Sequence, residues 1–306
     1  MQRILVMMST YNGSKYLVEQ VDSIFNQERV KCVLLIRDDG SKDNTLEVIR
    51  NYKNNHPNHD IRLIEGKNVG VAASFRKLAM IAQTEHEQFD YYAFSDQDDI
   101  WLPKKLLSGI TQIESLPNSQ PKGYCSNSTM VNNQMEPIGN LWQNDEPVIS
   151  KKRILVKNYA QGCTMVFNRA ALEKYNQLAF DGVKLHDYLM ALVCVFYGQL
   201  VYDSSSYLLY RQHESNVVGG IKKEKSRIKV LYNLIAHESH HDIFCQQVLA
   251  HFTDLSSDDK KLISIVANYK KNILGRLNLL CSRGIVYYRT WKENVLSGIR
   301  IIVGTY

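Results

Sequence analysis

Apolar residues in the first part of the chain fall into two alternating spacings. Short runs of aliphatic and β-branched residues at 3–8, 32–37, 61–65 and 91–95 read as strands. Between them apolar positions recur at helical intervals, as with Leu17, Val21, Ile24 and Phe25 inside 15–26, and again over 44–54 and 71–83. Strand–helix alternation with short connections predicts right-handed βαβ units and an α/β fold with a mainly parallel sheet flanked by helices. Past residue 220 the strand-like spacing stops. Helical patterns carrying interspersed Lys and Arg then occupy 222–252, 258–281 and 285–303. This change divides the chain into a domain over 1–220 and a mainly helical region over 221–306.

Each predicted strand runs into polar residues of a particular kind. Thr10-Tyr11-Asn12-Gly13, Asp38-Asp39-Gly40-Ser41 and Asp96-Gln97-Asp98-Asp99 all follow strand C-termini. In open α/β sheets ligands bind beyond those ends, so the three clusters are expected to converge on one crevice. Carboxylates of the 96–99 cluster are hard oxygen ligands suited to Mg²⁺ or Mn²⁺ shared with substrate phosphates; alone, they would also suit a solvated turn with helix-capping aspartates. Asp38 and Asp39 suit accepting hydrogen bonds from a pyrimidine imide or a ribose hydroxyl. Asp-Gly in the same cluster also marks a turn, and Asp43 makes a good N-cap for the helix near Thr45. No GxxxxGK[ST] loop, no GxGxxG after the first strand and no GxSxG elbow occurs, which counts against ATPase, dehydrogenase and hydrolase chemistry.

Met8-Ser9-Thr10-Tyr11-Asn12-Gly13, Arg37-Asp38-Asp39-Gly40-Ser41, Asn68-Val69-Gly70 and Ser95-Asp96-Gln97-Asp98-Asp99-Ile100-Trp101, in this order, resemble family 2 glycosyltransferases with the GT-A fold. The resemblance covers about 3–220 and is nearest in flavour to the bacterial rhamnosyltransferase-like subgroup that builds surface polysaccharides. It implies an inverting transfer from a nucleotide-diphosphate sugar, dTDP-rhamnose or a UDP-hexose, to an acceptor hydroxyl. On that resemblance Thr10, Tyr11, Asp38 and Asp39 would hold the nucleoside, with Asn12, Asn68, Gly70, Asp96, Gln97 and Trp101 completing the nucleotide-sugar site. Asp96 and Asp98 correspond to the family's DxD motif, with Asp98 the direct ligand of Mn²⁺ or Mg²⁺ and His213 its helper. Gln161 and Gly162, with His186, resemble the acceptor side. His186-Asp187-Tyr188 resembles the (E/H)D(W/Y) motif, which makes Asp187 the expected general base. The segment 210–219 resembles the subgroup's closing YRQHxxNVVG stretch, with Arg211 and Asn216 at the diphosphate. Glu214 departs from it where many relatives carry glycine. A nucleotidyltransferase would be expected to show a Gly-rich basic loop at 9–14, which is lacking; a nucleotide-sugar binding module without catalysis fits poorly with Asp98, Asp187 and His213 together.

Charge changes the picture only for the tail. Of the net +6, the region from 221 onward contributes 14 Lys+Arg against 7 Asp+Glu, while the first 220 residues hold 23 against 24. Basic residues beside an aromatic-rich apolar pattern suggest an anionic membrane surface, and packing on a second copy as a homo-oligomer is the competing reading. An enzyme on the inner membrane face would suit a lipid-linked acceptor; a glycan or glycoprotein acceptor remains compatible, and no nucleic-acid module is recognisable. No stretch approaches the roughly 18 apolar residues of a membrane span, and the N-terminus does not read as a signal peptide. Six cysteines without CxxC spacing read as reduced, buried thiols of a cytoplasmic protein. His237-Glu238-Ser239-His240-His241 matches HExxH, but the next glutamate is Glu293 and no metzincin pattern surrounds His251, so a zinc protease is set aside.

Overall fold

A computed structural model describes residues 1–85, 89–117, 120–143, 147–180, 185–213, 239–286 and 291–306. The chain divides into two compact units, Met1–Pro147 with Ala160–Asn216, and Val148–Tyr159 with Val217–Tyr306. The boundary expected near 220 lies outside the described residues. So does the helical pattern over 222–238, and with it His237 and Glu238.

In the first unit the elements run β1 (Gln2–Thr10), α1 (Leu17–Phe25), β2 (Val30–Asp38), α2 (Thr45–Asn55), β3 (Asp60–Glu65), α3 (Val71–Thr84) and β4 (Tyr91–Ser95). They continue with β5 (Ile100–Trp101), α4 (Lys105–Glu114), β6 (Lys122–Val131), β7 (Pro137–Asn140), β8 (Val166–Asn168), α5 (Arg169–Leu178), α6 (His186–Tyr197) and β9 (Gln199–Arg211). One sheet joins all nine strands in the order β3-β2-β1-β4-β8-β6-β9-β5, with β7 on β6. Its first four strands are mutually parallel, and β6 and β9 form a further parallel pair. Short antiparallel additions by β8, β7 and β5 link or extend these. Ile4 to Met8 on β1 are all fully buried, because a parallel strand covered by helices on both faces needs apolar side chains on both.

Register explains why the polar clusters meet. Thr10 pairs with Asp38 across β1 and β2, and Met8 pairs with Ser95 across β1 and β4. The chain therefore leaves all three strands at nearly the same level. Successive strands β1, β2 and β3 step one way across the sheet while β4 lies on the other side of β1. The gap between β1 and β4 is thus a topological switch point, where such sheets open a crevice.

The second unit contains α7 (His241–His251), α8 (Ser257–Ala267), α9 (Ile273–Cys281) and α10 (Trp291–Val303). The helix expected over 258–281 is in fact two. Asn272 leaves helical geometry and its side chain accepts from the Gly275 N–H at 2.8 Å, capping α9. Lys151 reaches from the 148–159 segment to Asp259 at the start of α8 (2.8 Å). His240 precedes α7 with a left-handed φ of 53°. All six cysteines are free; five are buried as expected, but Cys281 is exposed because it lies on the outward side of α9 with Leu277, one helical turn earlier. Among the described residues no helix is long and apolar enough to cross a membrane.

Candidate active site

The loops after β1 and β2 are tied to each other before any ligand is considered. Asp38 is buried and accepts from Thr10 Oγ1 (3.0 Å), from the Gly40 and Ser41 N–H groups (3.1 and 2.9 Å) and from Ser41 Oγ. Four hydrogen bonds saturate a carboxylate. Asp39, equally buried, accepts from Arg37 and from the Val69 and Gly70 N–H groups (both 2.9 Å). Both aspartates were expected to hold the nucleoside. Their carboxylates are instead taken up within the chain, holding the 40–41 and 68–70 turns at the strand ends. Arg37, which heads the motif without an assigned role, and Ser74, which the sequence did not single out, complete this brace: Arg37 donates to Ser74 Oγ at 2.9 Å. An arginine at the end of an otherwise apolar strand was the available signal.

What these turns leave outward is different. Tyr11 is 42% exposed, Asn68 is exposed, and Gly70 takes φ 86° at the mouth of α3 with open space on its Cα. Asn12, left-handed at φ 49°, donates its N–H to Ser41 Oγ and accepts from the Lys42 N–H, joining the first two loops. The third loop is joined by Gln97, whose amide accepts from the Tyr11 N–H (2.9 Å) and donates to the Tyr11 carbonyl (3.1 Å). Gly13 lies directly beneath this clamp: a Cβ there would sit 2.1 Å from Gln97 Oε1, so a side chain at this position would displace the Gln97 amide.

Within the acidic loop the carboxylates have distinct environments. Asp98 Oδ2 lies 2.9 Å from His213 Nε2, so the two expected metal ligands are neighbours, and the His213 ring stacks on Tyr16. Asp96 is partly buried and its pKa is pushed up to about 7, first by burial and then by the charges of Asp98 and Asp187. Asp99 is sealed from solvent and raised well above the usual carboxylate range by burial and the same crowding; Asp96, Asp99 and the Cys163 thiol place their ligand atoms within 4.8 Å of one another. One Asp99 oxygen has no hydrogen-bond partner among the described residues. Carboxylates crowded until they retain protons suit a divalent cation, as does the carboxylate–imidazole pair beside them.

Three expected contacts are not where sequence placed them. Trp101 is 2% exposed on β5 and belongs to the hydrophobic core, its ring 3.6 Å from the buried Lys105 ammonium. Its side chain points to the inner face of β5 and packs with the buried Leu106, Ile110 and Leu208 of the same core cluster. Arg211 is equally buried; its guanidinium donates to the Asp98 carbonyl (3.0 Å) and to Glu19, and so braces the acidic loop from behind rather than facing a diphosphate. His186 is stacked at 3.7 Å on Phe75 and edge-on to Phe94, and burial pulls its pKa down to about 3, so it stays neutral as an aromatic core ring. Asn216 lies outside the described residues.

Asp187 occupies the first turn of α6, partly exposed. It accepts from the Gly162 N–H (3.0 Å) and from the Tyr188 N–H (2.6 Å). Burial nevertheless raises its pKa to about 6. Gly162 begins a 3₁₀ turn directly against it: a Cβ would come within 2.9 Å of His186 Nε2 and 3.2 Å of Asp187 Cβ. Gln161 Oε1, one residue earlier, accepts from Ser128 Oγ (3.0 Å). Lys105, unremarked in the sequence, is fully buried near Asp99 and Cys163, and burial draws its pKa down to about 7.

Comparison with known proteins agrees with this architecture. The family model for glycosyl transferase family 2 matches residues 5–175. The chain is 29% identical over 243 residues to the dTDP-rhamnosyl transferase RfbG of Shigella flexneri, spanning 73% of this chain and 78% of that one. It is 25% identical over 227 residues to the UDP-Glc:alpha-D-GlcNAc-diphosphoundecaprenol beta-1,3-glucosyltransferase WfgD of Escherichia coli, spanning 73% and 83%. Among solved structures, S. aureus TarS in complex with UDP-GlcNAc shares the fold with a TM-score of 0.59 at 14% identity, over 100% of this chain and 82% of that one. A mannosyltransferase of Pyrobaculum calidifontis in complex with GDP-Man and Mn²⁺ follows at 0.52 and 15%, over 99% and 86%. With its strand-end clusters drawn to one edge of the sheet and a family match over more than half its length, the chain belongs to glycosyl transferase family 2 and is a glycosyltransferase of GT-A fold.

Proposed function

We propose that the protein transfers a sugar, with inversion, from dTDP-rhamnose or a UDP-hexose to an acceptor hydroxyl in bacterial surface glycan assembly, with Asp187 as general base. The observation that carries this is Asp187 itself. Its carboxylate stands at a helix start next to the acidic loop, partly open to solvent, with a pKa of about 6. A base poised just below neutral pH is mostly deprotonated in the cell yet retains enough basicity to take a hydroxyl proton as it leaves. The Gly162 and Tyr188 N–H groups fix its direction.

Asp98 and His213 would hold Mn²⁺ or Mg²⁺, with Asp96 adjacent. Bound there, the metal would supply charge neutralisation for the departing diphosphate. Asp38 and Asp39 act indirectly, by setting the turns from which Tyr11, Asn12, Asn68 and Gly70 meet the nucleotide. Gln97 holds the nucleoside loop and the acidic loop in mutual register. Gln161 and Gly162 line the acceptor side. Support for the donor class comes from the dTDP-rhamnosyl and UDP-glucosyl activities in the relatives' names.

A donor screen tests the reading. Donor turnover with and without Mn²⁺ or Mg²⁺ is measured across dTDP-, UDP- and GDP-sugars, and the anomeric configuration of the product is read by NMR. One pyrimidine-nucleotide sugar should be used preferentially, with inversion. Retention at the anomeric carbon, or no turnover of any pyrimidine-nucleotide sugar, would reject the proposal.

A further inference from the structure

In the second unit most of the apolar side chains left outside the core, apart from Val148 and Ile243, are gathered on one pair of helices. On α10, Trp291, Val295, Ile299 and Ile302 fall at intervals of four, four and three, so they share one face, and Trp291 is 70% exposed. On α9, Ile273 and Leu274 are 73% and 71% exposed, with Leu277 one turn on. The two helices lie together, since the Arg276 guanidinium donates to the Ile302 carbonyl and Leu280 packs beside Gly298. The core of the same helices is built separately, from Leu279 and Ile301. Helix-pattern apolar residues therefore occur on both the inward and outward sides, which packing within the unit does not require.

The same pair of helices is also strongly basic. The described residues of 270–303 carry six basic side chains, among them the exposed Lys271, Arg283 and Lys292, against the single acid Glu293. The neighbouring α7–α8 stretch over 241–267 instead holds four aspartates against two lysines. Lys270, Arg276 and Arg300 are engaged within the unit, with Asp242, the Ile302 carbonyl and Ser239, while Lys271, Arg283 and Lys292 stay exposed beside the outward apolar face. The 148–159 segment adds Lys151, Lys152, Arg153 and Lys157 without an acid, so positive charge surrounds this face on the described residues. A second copy seated on this face would bring two strongly positive surfaces together, which is unfavourable. An anionic bilayer satisfies both features at once. Apolar side chains enter the acyl boundary, tryptophan takes the interface, and lysines meet lipid phosphates.

We propose that the α9–α10 face is a docking surface for an anionic lipid bilayer, anchoring the enzyme peripherally. This stands apart from the transfer chemistry, since none of these residues belongs to the candidate active site.

Vesicle co-sedimentation of the full chain tests it, using phosphatidylcholine alone and phosphatidylcholine mixed with phosphatidylglycerol. Binding should appear with the mixed vesicles at low salt and weaken as salt rises. Lys271→Ser with Lys292→Ser should reduce it about 25-fold, at roughly fivefold per cation near the surface. Trp291→Ser with Leu274→Ser should reduce it at least about tenfold. Both doubles alter exposed positions, so their thermal unfolding and donor turnover should match the parent. The proposal is overturned by failure of the parent to bind phosphatidylglycerol vesicles, or by variants that bind them unchanged. It is also overturned if sedimentation velocity shows a dimer of the parent that the apolar double converts to monomer with vesicle binding intact, which would assign the face to a second copy.

Discussion

Replacing Asp187 by asparagine separates a catalytic role from a structural one, because the two predict opposite signs of stability change. Burial raises the Asp187 carboxyl from 3.8 to about 6. Its folded form therefore binds a proton more tightly than the unfolded chain does. Native stability is unaffected by this group below about pH 4, falls as pH rises between about 4 and 6, and above that carries a cost of about 3 kcal/mol. Asparagine is neutral throughout and removes the cost. It also has one side-chain oxygen where the carboxylate accepts from both Gly162 and Tyr188, a loss of about 1 kcal/mol. Asp187→Asn should thus gain about 2 kcal/mol at pH 7 and lose about 1 kcal/mol near pH 3.5, where the wild-type carboxyl is neutral. Turnover should fall about 10²–10⁴-fold, the usual worth of a positioned base. In the parent, kcat/KM should rise with pH through about 6 and level off above it. Urea unfolding at both pH values and initial rates at saturating donor measure these quantities. A variant that keeps turnover within about tenfold of the parent would exclude Asp187 as the base, and one less stable than the parent at pH 7 would exclude a buried, destabilising carboxylate at this position.

Two further substitutions test neighbouring parts of the site. Asp98→Ala and His213→Ala should each weaken donor binding in the presence of Mn²⁺ by about tenfold or more while leaving binding in EDTA unchanged, as read by calorimetry; equal losses with and without metal would assign them a structural role. Gly162→Ala would set a methyl group 2.9 Å from His186 Nε2 and 3.2 Å from Asp187 Cβ. Displacing the base by a few tenths of an ångström should lower kcat about tenfold or more with little change in donor affinity, and an unchanged kcat would show that the turn relaxes freely.

Much of this arrangement follows from local sequence. Strands β1 to β4 and their helices are legible because a parallel strand covered on both faces must be apolar throughout, and a covering helix must be apolar along one stripe. The convergence of Thr10–Gly13, Asp38–Ser41 and Asp96–Asp99 was legible for a related reason: the strand order of βαβ units brings successive C-termini to one edge. The second half of the sheet was not. β8, β7 and β5 are two to four residues long, too short for a period of two to register, and their pairing is set by partners far away in sequence.

Side-chain direction, by contrast, is set by packing between distant elements. Trp101, His186 and Arg211 occupy motif positions beside outward-facing residues, yet all three turn inward. A motif specifies order along the chain; it carries no information about which face a residue presents when the strand is two residues long or the helix is buried on several sides. Asp38 and Asp39 are a similar case, since their saturation depends on amides thirty residues away at Val69 and Gly70 as well as on nearby turns. The tail divided in the same manner. Sequence showed basic residues among apolar ones over 258–303. Only packing showed that α9 and α10 bury one apolar side and leave the other outward, because a helix pattern records how many faces are apolar and not which of them the fold covers.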